Sequence, residues 1–257
     1  MLRTRILLFT LLLAPAVALA EDNSPKVLLG AGLWARPAYD GADTNHNMLI
    51  PVVRYYGQPW FARTTFGMLE GGARIELASG FTVGAQAAYE GGRDNSDSAF
   101  LAEHNLPNIS PSASLGVHAE LEKNIGPMPL IVLLRYRQDI DRDRGAQTDL
   151  RLTAGIYGGP QLNAGVFWQT TWADAQAGQY YYGLTAQQAA STGLPAYTAE
   201  GGALYNAAGF LWSYELDPHW MLLGSLERHH VRGDAASSPL LQTEVANYVS
   251  VGAAWQF

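Results

Sequence analysis

Apolar side chains recur at every second position along most of the chain. At the C-terminus, Val249, Val251 and Trp255 share one face of a predicted strand, and Ser250 and Gly252 lie on the other. Because successive side chains of a strand point to opposite faces, this pattern gives one apolar face and one small or polar face. Such a strand is typical of a barrel wall with lipid outside and polar groups inside, and the closing strand of a soluble sandwich is the alternative.

Twelve segments with this alternation follow one another, each bounded by turn-forming residues. They cover residues 27–39, 48–56, 60–67, 73–78, 81–90, 112–123, 128–139, 148–157, 162–172, 204–216, 219–231 and 244–257. The connections between them alternate in length. The short ones are 57–59, 79–80, 124–127, 158–160 and 217–218, and the long ones are 40–47, 92–110, 140–147, 173–202 and 232–243. This alternation is typical of outer-membrane barrels, in which the turns are periplasmic and the loops extracellular.

The number of strands is limited by the side of the membrane on which the ends and the long loops lie. If both ends of the barrel domain are periplasmic, the count is even, and every long loop lies on one side only if residues 59–78 form two strands. That condition predicts a tight turn near Gly71 and Gly72. The predicted fold is therefore all-β, a transmembrane antiparallel up-and-down barrel of twelve strands, and ten strands with an irregular N-terminal segment is the alternative.

Nearly all charged side chains of the predicted strands fall on the face opposite the apolar one, where they avoid lipid. A basic side chain at the bilayer midplane would cost about 2–4 kcal/mol. The mixed signs predict a packed, ion-paired interior, because a selective pore would carry a ring of one sign. If the 140–147 loop closes symmetrically, Arg137 faces Asp149. The predicted lumen residues are Arg54, Arg63, Arg74, Glu76, Gln86, His118, Glu120, Glu122, Arg135, Arg137, Asp149, Arg151 and Glu227.

The N-terminus carries a predicted secretory signal. A basic start with Arg3 and Arg5 precedes an apolar run, and Ala18 and Ala20 are the small residues that a signal peptidase accepts, so cleavage is expected after Ala20. Residues 21–257 would then form a single barrel domain. No later stretch approaches the roughly 20 apolar residues of a membrane helix, so a span must be a closed barrel. The absence of cysteine excludes disulfides, thiolate metal sites and a lipoprotein anchor.

Charge and motifs exclude other function classes. With 23 acidic and 16 basic residues, the chain is not expected to bind nucleic acid. It contains no GxSxG elbow, phosphate loop or HExxH motif, so neither enzymatic activity nor a cofactor is expected. His229 and His230 lie near Glu227 and Asp234, but adjacent strand residues point apart, so at most one histidine can join a given site. An Arg-Gly-Asp tripeptide at Arg232 is too short a match to indicate a function.

The long loop 173–202 has internal structure. Thr185 and Gln188 form a capping-box pattern, and Gly193 followed by Pro195 is a stop signal, so a short helix is predicted. The preceding tyrosines would pack over or into the barrel mouth. A loop of this length with helical and aromatic content is usually functional or a plug.

The same loop carries a family resemblance. Its motif residues are Trp172, Asp174, Tyr181, Tyr182, Gly183, Leu184, Thr185, Ala189, Ser191, Gly193, Leu194, Pro195 and Tyr197. Supporting motifs lie at residues 37–43, 92–94 and 233–239. Together they resemble the MipA/OmpV family of outer-membrane proteins over essentially the whole of residues 21–257. Leu184, where the family has valine, and Ser237, where it has aspartate, are mild departures.

The resemblance implies a non-enzymatic barrel in the Gram-negative outer membrane. It further implies a scaffold that joins a lytic transglycosylase to a peptidoglycan synthase of the penicillin-binding class. The terminal strand, with Trp255 and Phe257, resembles the signal read by the barrel-assembly machinery. No partner-binding residues can be transferred from the family. The alternatives are a small-molecule pore or transporter, which the polar interior would suit, and a surface adhesin acting in osmotic or host adaptation.

Overall fold

The computed structural model describes residues 27–65 and 67–257. Within these ranges twelve strands close into one antiparallel barrel, in which each strand pairs with its sequence neighbours and β1 pairs with β12. The predicted twelve-stranded fold is confirmed, and the ten-stranded alternative is wrong. The strands are β1 (Leu28–Pro37), β2 (Asn45–Tyr56), β3 (Trp60–Thr65), β4 (Met68–Ala78), β5 (Phe81–Glu90), β6 (Ser112–Ile125), β7 (Met128–Asp139), β8 (Ala146–Gly158), β9 (Leu162–Ala173), β10 (Gly202–Glu215), β11 (Trp220–Val231) and β12 (Val245–Gln256).

The turn between β3 and β4 lies at Gly67, and the predicted turn at Gly71 and Gly72 is wrong. Gly67 has a φ of +71°, a conformation that glycine adopts without steric cost. Gly72 instead lies within β4, where a Cβ atom would sit 2.0 Å from the carbonyl oxygen of Ala85. That glycine is required by the close approach of neighbouring strands.

The two faces of the wall differ as the alternation requires. Leu49 is 73% exposed on the outer face and Leu115 is 60% exposed, as expected for side chains that contact lipid. In β12, Val249 and Val251 are exposed and Tyr248 is buried. The predicted signal, with its cleavage after Ala20, lies outside the described residues. Of the helices that are described, none combines the length and apolar character needed to cross a membrane.

Three short α-helices lie in the extracellular loops of the described chain: α1 (Ala99–Glu103), α2 (Ala175–Tyr182) and α3 (Ala186–Thr192). The predicted helix is α3. Thr185 and Gln188 form its capping box, and Gly193 ends it with a φ of +72°. The preceding helix α2 was not predicted, and Asp174 caps its N-terminus by accepting a hydrogen bond from the Ala177 amide at 2.8 Å.

Candidate functional site

Charged side chains from β3 to β8 form a continuous chain of ion pairs inside the barrel. Glu70 lies between two guanidinium groups: Arg63 Nε donates to Oε1, and Arg135 Nη1 donates to Oε2 at 2.9 Å. Arg63 also reaches Glu120 at 3.2 Å, and Arg135 reaches Asp149 at 2.8 Å. These five side chains are all nearly inaccessible to solvent. Charges removed from water in this way are tolerated only when each is paired and hydrogen-bonded, which alternating signs achieve here.

Arg137 extends this chain towards the extracellular end. Its guanidinium pairs with Glu90, and its Nε lies 3.5 Å from Asp149. The predicted pairing of Arg137 opposite Asp149 is wrong by two residues, because Arg135 faces Asp149 and Arg137 faces Gln147 in the β7–β8 ladder. The loop closes between Gln138 and Ala146 rather than symmetrically about 140–147. We call the seven side chains the lumen network: Arg63, Glu70, Glu90, Glu120, Arg135, Arg137 and Asp149.

The other half of the lumen contains two apolar clusters among buried polar side chains. Leu28, Val52, Met221, Leu223 and Ala254 pack into one buried cluster, and a second contains Phe167, Ala207 and Leu211. Arg151, a predicted lumen residue, lies over the Phe167 ring with 3.6 Å between guanidinium carbon and ring centroid. Between the two halves remains a cavity of about 50 Å³, lined by residues that include Trp34, Arg151 and Glu227. This is space for about one or two water molecules.

A cluster of aromatic and acidic groups lies near the top of the lumen. The His229 ring stacks between Tyr205 and Tyr248, with centroids 5.0 and 3.9 Å away, and its Nε2 lies 3.2 Å from Glu227. His230 points to the outer face, where it lies 3.3 Å from Glu244. As expected, only one of the adjacent histidines joins Glu227. Asp234 is not part of the cluster, since its carboxylate accepts the Glu200 amide. Among the described residues, no three potential ligands lie close enough to hold a metal ion.

The barrel wall is weakest between β2 and β3. Only three residue pairs join these strands, from Arg54–Arg63 to Tyr56–Phe61. Beyond them, the Thr64 hydroxyl takes the place of the ladder by accepting the Val53 amide at 3.2 Å and donating to the Pro51 carbonyl at 2.8 Å. We call this junction the β2–β3 seam. Within a bilayer, an unpaired backbone group costs several kcal/mol, so the hydroxyl stabilises the wall.

Five loops close the extracellular mouth, and we call them the cap: residues 38–44, 91–111, 140–145, 174–201 and 232–244. Tyr39 donates to the Leu240 carbonyl at 2.8 Å, joining the first loop to the last. Asp174 accepts both the Ala177 and Ala146 amides, joining α2 to the top of β8. The apolar side chains between the loops are Ala38, Tyr39, Ala42, Leu101, Leu106, Leu184 and Leu240.

The family-motif residues are structural parts of this cap. Leu184 and Tyr197 exchange two backbone hydrogen bonds of 2.8 Å, and the Tyr197 hydroxyl donates to the Asp234 carbonyl. Tyr182 is buried, and its carbonyl accepts the Ser238 hydroxyl at 2.6 Å. Leu194 packs against the apolar side chains between the loops, and Tyr181 packs against a second buried cluster that includes Ala177, Tyr182 and Ala235. Gly183 ends α2, and Thr185 and Gly193 bound α3. Pro195 is exposed after α3, and Trp172 points outward at the top of β9.

Burial raises the pKa of two tyrosines of the cap. It raises the pKa of Tyr39 well above its ordinary value, with the charge of Asp43 acting in the same direction and Arg93 opposing it. Burial likewise raises the pKa of Tyr182. Both phenols are neutral at physiological pH, as any tyrosine is, and the raised pKa keeps the Tyr39 hydroxyl a hydrogen-bond donor at higher pH than an exposed tyrosine.

Sequence reasoning missed two members of the lumen network, Glu70 and Glu90. Glu70 has the same parity as Arg74 and Glu76, so alternation within a correctly bounded β4 would have placed it inside. The misplaced turn at Gly71 concealed that signal. Of the predicted interior set, Glu76 lies exposed near the periplasmic end and accepts the Gly80 amide at 2.9 Å. Glu120 lies in the lumen, as predicted, and it pairs with Arg63 across the bore.

A family model described as MltA-interacting protein MipA matches residues 29–257, which span all twelve strands and the cap. The chain belongs to the MipA family. Membership agrees with the resemblance carried by the loop motifs, and it makes this protein an outer-membrane barrel. The family match extends over the lumen network as well as the loops, so both are parts of one MipA-family domain.

Several solved structures resemble this MipA-family chain at low sequence identity. No curated protein sequence matches it significantly. Among solved structures, an outer-membrane channel from Pseudomonas putida F1 aligns with a TM-score of 0.48 and 10% identity, covering 95% of this chain and 100% of that one. The NanC porin aligns with a TM-score of 0.43 and 7% identity, covering 90% and 100%.

Proposed function

We propose that this MipA-family barrel is a non-enzymatic scaffold that holds a lytic transglycosylase, and with it a penicillin-binding-type synthase, at the periplasmic face of the outer membrane. The description of the family as MltA-interacting supports this class of partner. The observation that carries the proposal is the filled lumen. With Arg63, Glu70 and Arg135 paired across the bore and the cap packed above them, the periplasmic surface is the part available to a murein enzyme.

The periplasmic surface is built from tight turns between consecutive strands. Its connections are short, and in one of them the Asp217 carboxylate accepts both the His219 and Trp220 amides at 2.8 Å. Exposed aromatic side chains surround it, including Trp60, Tyr157 and Phe257. A preorganised surface loses little conformational entropy on binding, which favours a stable complex.

The test is retention of a purified lytic transglycosylase by the immobilised, detergent-solubilised barrel. Because the chain has no cysteine, single cysteines can be introduced and labelled with a bulky maleimide without further changes. Ser79→Cys, Gln161→Cys and His219→Cys cover three periplasmic turns, and Asp143→Cys is the matched extracellular control. We expect wild-type retention and its loss in at least one periplasmic variant, with the control unaffected. Failure of the wild type to retain any periplasmic murein hydrolase, or equal blocking by the Asp143 label, would reject the scaffold.

A small-molecule pore is the second candidate, and the polar lining of the lumen favours it. Planar-bilayer recordings separate the two functions. A scaffold with a packed bore predicts a silent bilayer for the wild type and conductance only after Arg135→Ala removes the centre of the lumen network. Steady wild-type conductance that changes with Arg135→Ala would favour the pore.

A further inference from the structure

A cleft of about 520 Å³ opens on the extracellular surface of the cap. It lies where the 91–111 loop, helix α2, the α2–α3 connection and the 142–144 turn meet. Its size falls within the roughly 300–1,000 Å³ range of small-molecule sites. Neither the lumen nor the periplasmic surface contributes to it, so its role is independent of the scaffold proposal.

The cleft contains one basic side chain, Arg93, and its environment is unusual. Within the described parts of the chain, no carboxylate lies within 4.0 Å of its guanidinium, and its buried Nε has no hydrogen-bond partner. The group lies over the Tyr39 ring, 5.4 Å from the centroid. Burial lowers the pKa of Arg93, which means that the protein environment disfavours its charge. An arginine stays protonated at neutral pH, so an anion entering the cleft would stabilise it.

The position of Arg93 is fixed by the backbone. Arg93 and Ile109 exchange two backbone hydrogen bonds of 2.8 Å across the loop. Gly92 permits this close approach, since a Cβ atom there would lie 2.1 Å from the Ile109 carbonyl oxygen. The backbone of Arg93 is therefore held in place, and the guanidinium lies on the Tyr39 ring with its Nε buried. A group ordered in this way before a ligand arrives loses little entropy on binding.

Several of the other polar side chains of the cleft are already engaged within the cap. Gln179 Oε1 accepts the Ala199 amide at 3.0 Å, and Gln188 completes the α3 capping box. Asn108 Oδ1 accepts the Asn95 amide. Gln176 and Tyr180 also line the cleft and are uncharged. The guanidinium is therefore the one cation among the described lining residues, beside an apolar wall of Leu106, Pro107, Ile109, Leu184 and Leu240. Asp143 also lines the cleft, and its exposed carboxylate opposes a bound anion.

We propose that this cleft binds a small amphipathic anion from the extracellular side, a carboxylate carried on an apolar aryl or alkyl body. The Arg93 guanidinium holds the carboxylate, and the wall around Leu184 holds the apolar body. A neutral ligand of the same shape retains the contact with the apolar wall and loses the charge interaction with Arg93.

The test compares 4-phenylbutyrate with its neutral amide, 4-phenylbutyramide, by titration calorimetry on the full protein in lipid nanodiscs, with empty nanodiscs subtracted. Arg93→Gln removes the cation. Arg142→Gln is the matched control, because Arg142 is an exposed arginine of the same cap that does not line the cleft. Asp143→Asn removes the opposing carboxylate.

We expect the wild type to bind the acid about tenfold more tightly than the amide, the ratio expected for one charge-assisted hydrogen bond. Arg93→Gln abolishes this preference, Arg142→Gln retains it, and Asp143→Asn tightens binding of the acid about twofold. Equal binding of acid and amide by the wild type, or a preference that survives Arg93→Gln, overturns the proposal. If Arg93→Gln fails to fold, the Asp143→Asn variant provides the test. The proposal is overturned if Asp143→Asn binds the acid with the same affinity as the wild type or more weakly.

Discussion

Replacing Glu70 by glutamine tests whether the lumen network stabilises the barrel. The glutamine keeps the shape of the side chain and removes the charge shared by two guanidinium groups. Glu70 Oε1 accepts hydrogen bonds from Arg63 and from the Thr65 hydroxyl at 3.3 Å, and Oε2 accepts one from Arg135. After the substitution, Arg63 retains Glu120 and Arg135 retains Asp149. The substitution therefore removes only part of the ion pairing of the lumen network, and the loss is centred on β4.

The magnitude follows from burial. Glu70 is 1% exposed, and removing one partner from a buried ion pair costs about 3–5 kcal/mol because the remaining charge is left uncompensated. Because each guanidinium keeps a second carboxylate, we expect the lower end, about 3 kcal/mol. At 1.4 kcal/mol for each factor of ten, this is roughly a hundredfold in the folding equilibrium constant.

The assay is equilibrium unfolding in urea with the barrel refolded into lipid vesicles, followed by tryptophan fluorescence and gel mobility. Glu76→Gln is the matched control, because Glu76 lies on the same strand with the same parity but is exposed, so a change of under about 1 kcal/mol is expected. Equal stability of the two variants would refute the view that the network stabilises the barrel.

Three other predictions concern the seam and the cap. Thr64→Val leaves the Val53 amide and the Pro51 carbonyl without their partner at the β2–β3 seam, and urea unfolding should show a loss of about 1–3 kcal/mol. Asp174→Ala removes the cap of α2 at a cost of about 1 kcal/mol, so limited proteolysis should cleave the 174–201 loop several-fold faster while the barrel stays intact. Tyr39 has a raised pKa in the folded state, so its contribution to stability is full below its ordinary value of 10.0 and decreases as the pH rises above it. Protease resistance of the cap should accordingly be constant from neutral pH to about 10 and fall beyond it.

Each of these predictions has its own control. Thr198→Val changes an exposed threonine of the cap and should leave the unfolding midpoint unchanged; an equal loss there would mean that the Thr64 hydroxyl has no special role. Asp143→Ala removes an exposed carboxylate and should not accelerate cleavage of the 174–201 loop. For Tyr39, the Tyr39→Phe variant should lose less protection above pH 10 than the wild type, and identical pH curves would exclude this residue as the cause.

Alternation along the chain was enough to predict the twelve strands, the lipid-facing side chains and the grouping of the long loops. It failed locally at Gly71 and Gly72, which resemble turn residues but are required by close strand packing at Gly72. It also failed for the β7–β8 register, because the length of the closing loop is set by Gly145 and the turn at 142–144. Because of the first error, Glu70 was not predicted to lie in the lumen. Because of the second, the wrong arginine was predicted to face Asp149.

The sequence by itself determined which side chains face lipid, because that property repeats every two residues and depends on nothing distant. The capping of α3 by Thr185 and Gln188 was equally local. Only the tertiary structure decided that Arg63 and Arg135 meet at Glu70, that four separate motifs build one cap, and that Arg93 lines a cleft without a carboxylate partner in the described chain. Such contacts depend on strand register, barrel closure and loop packing, which join residues far apart in sequence, and a local pattern contains no information about them.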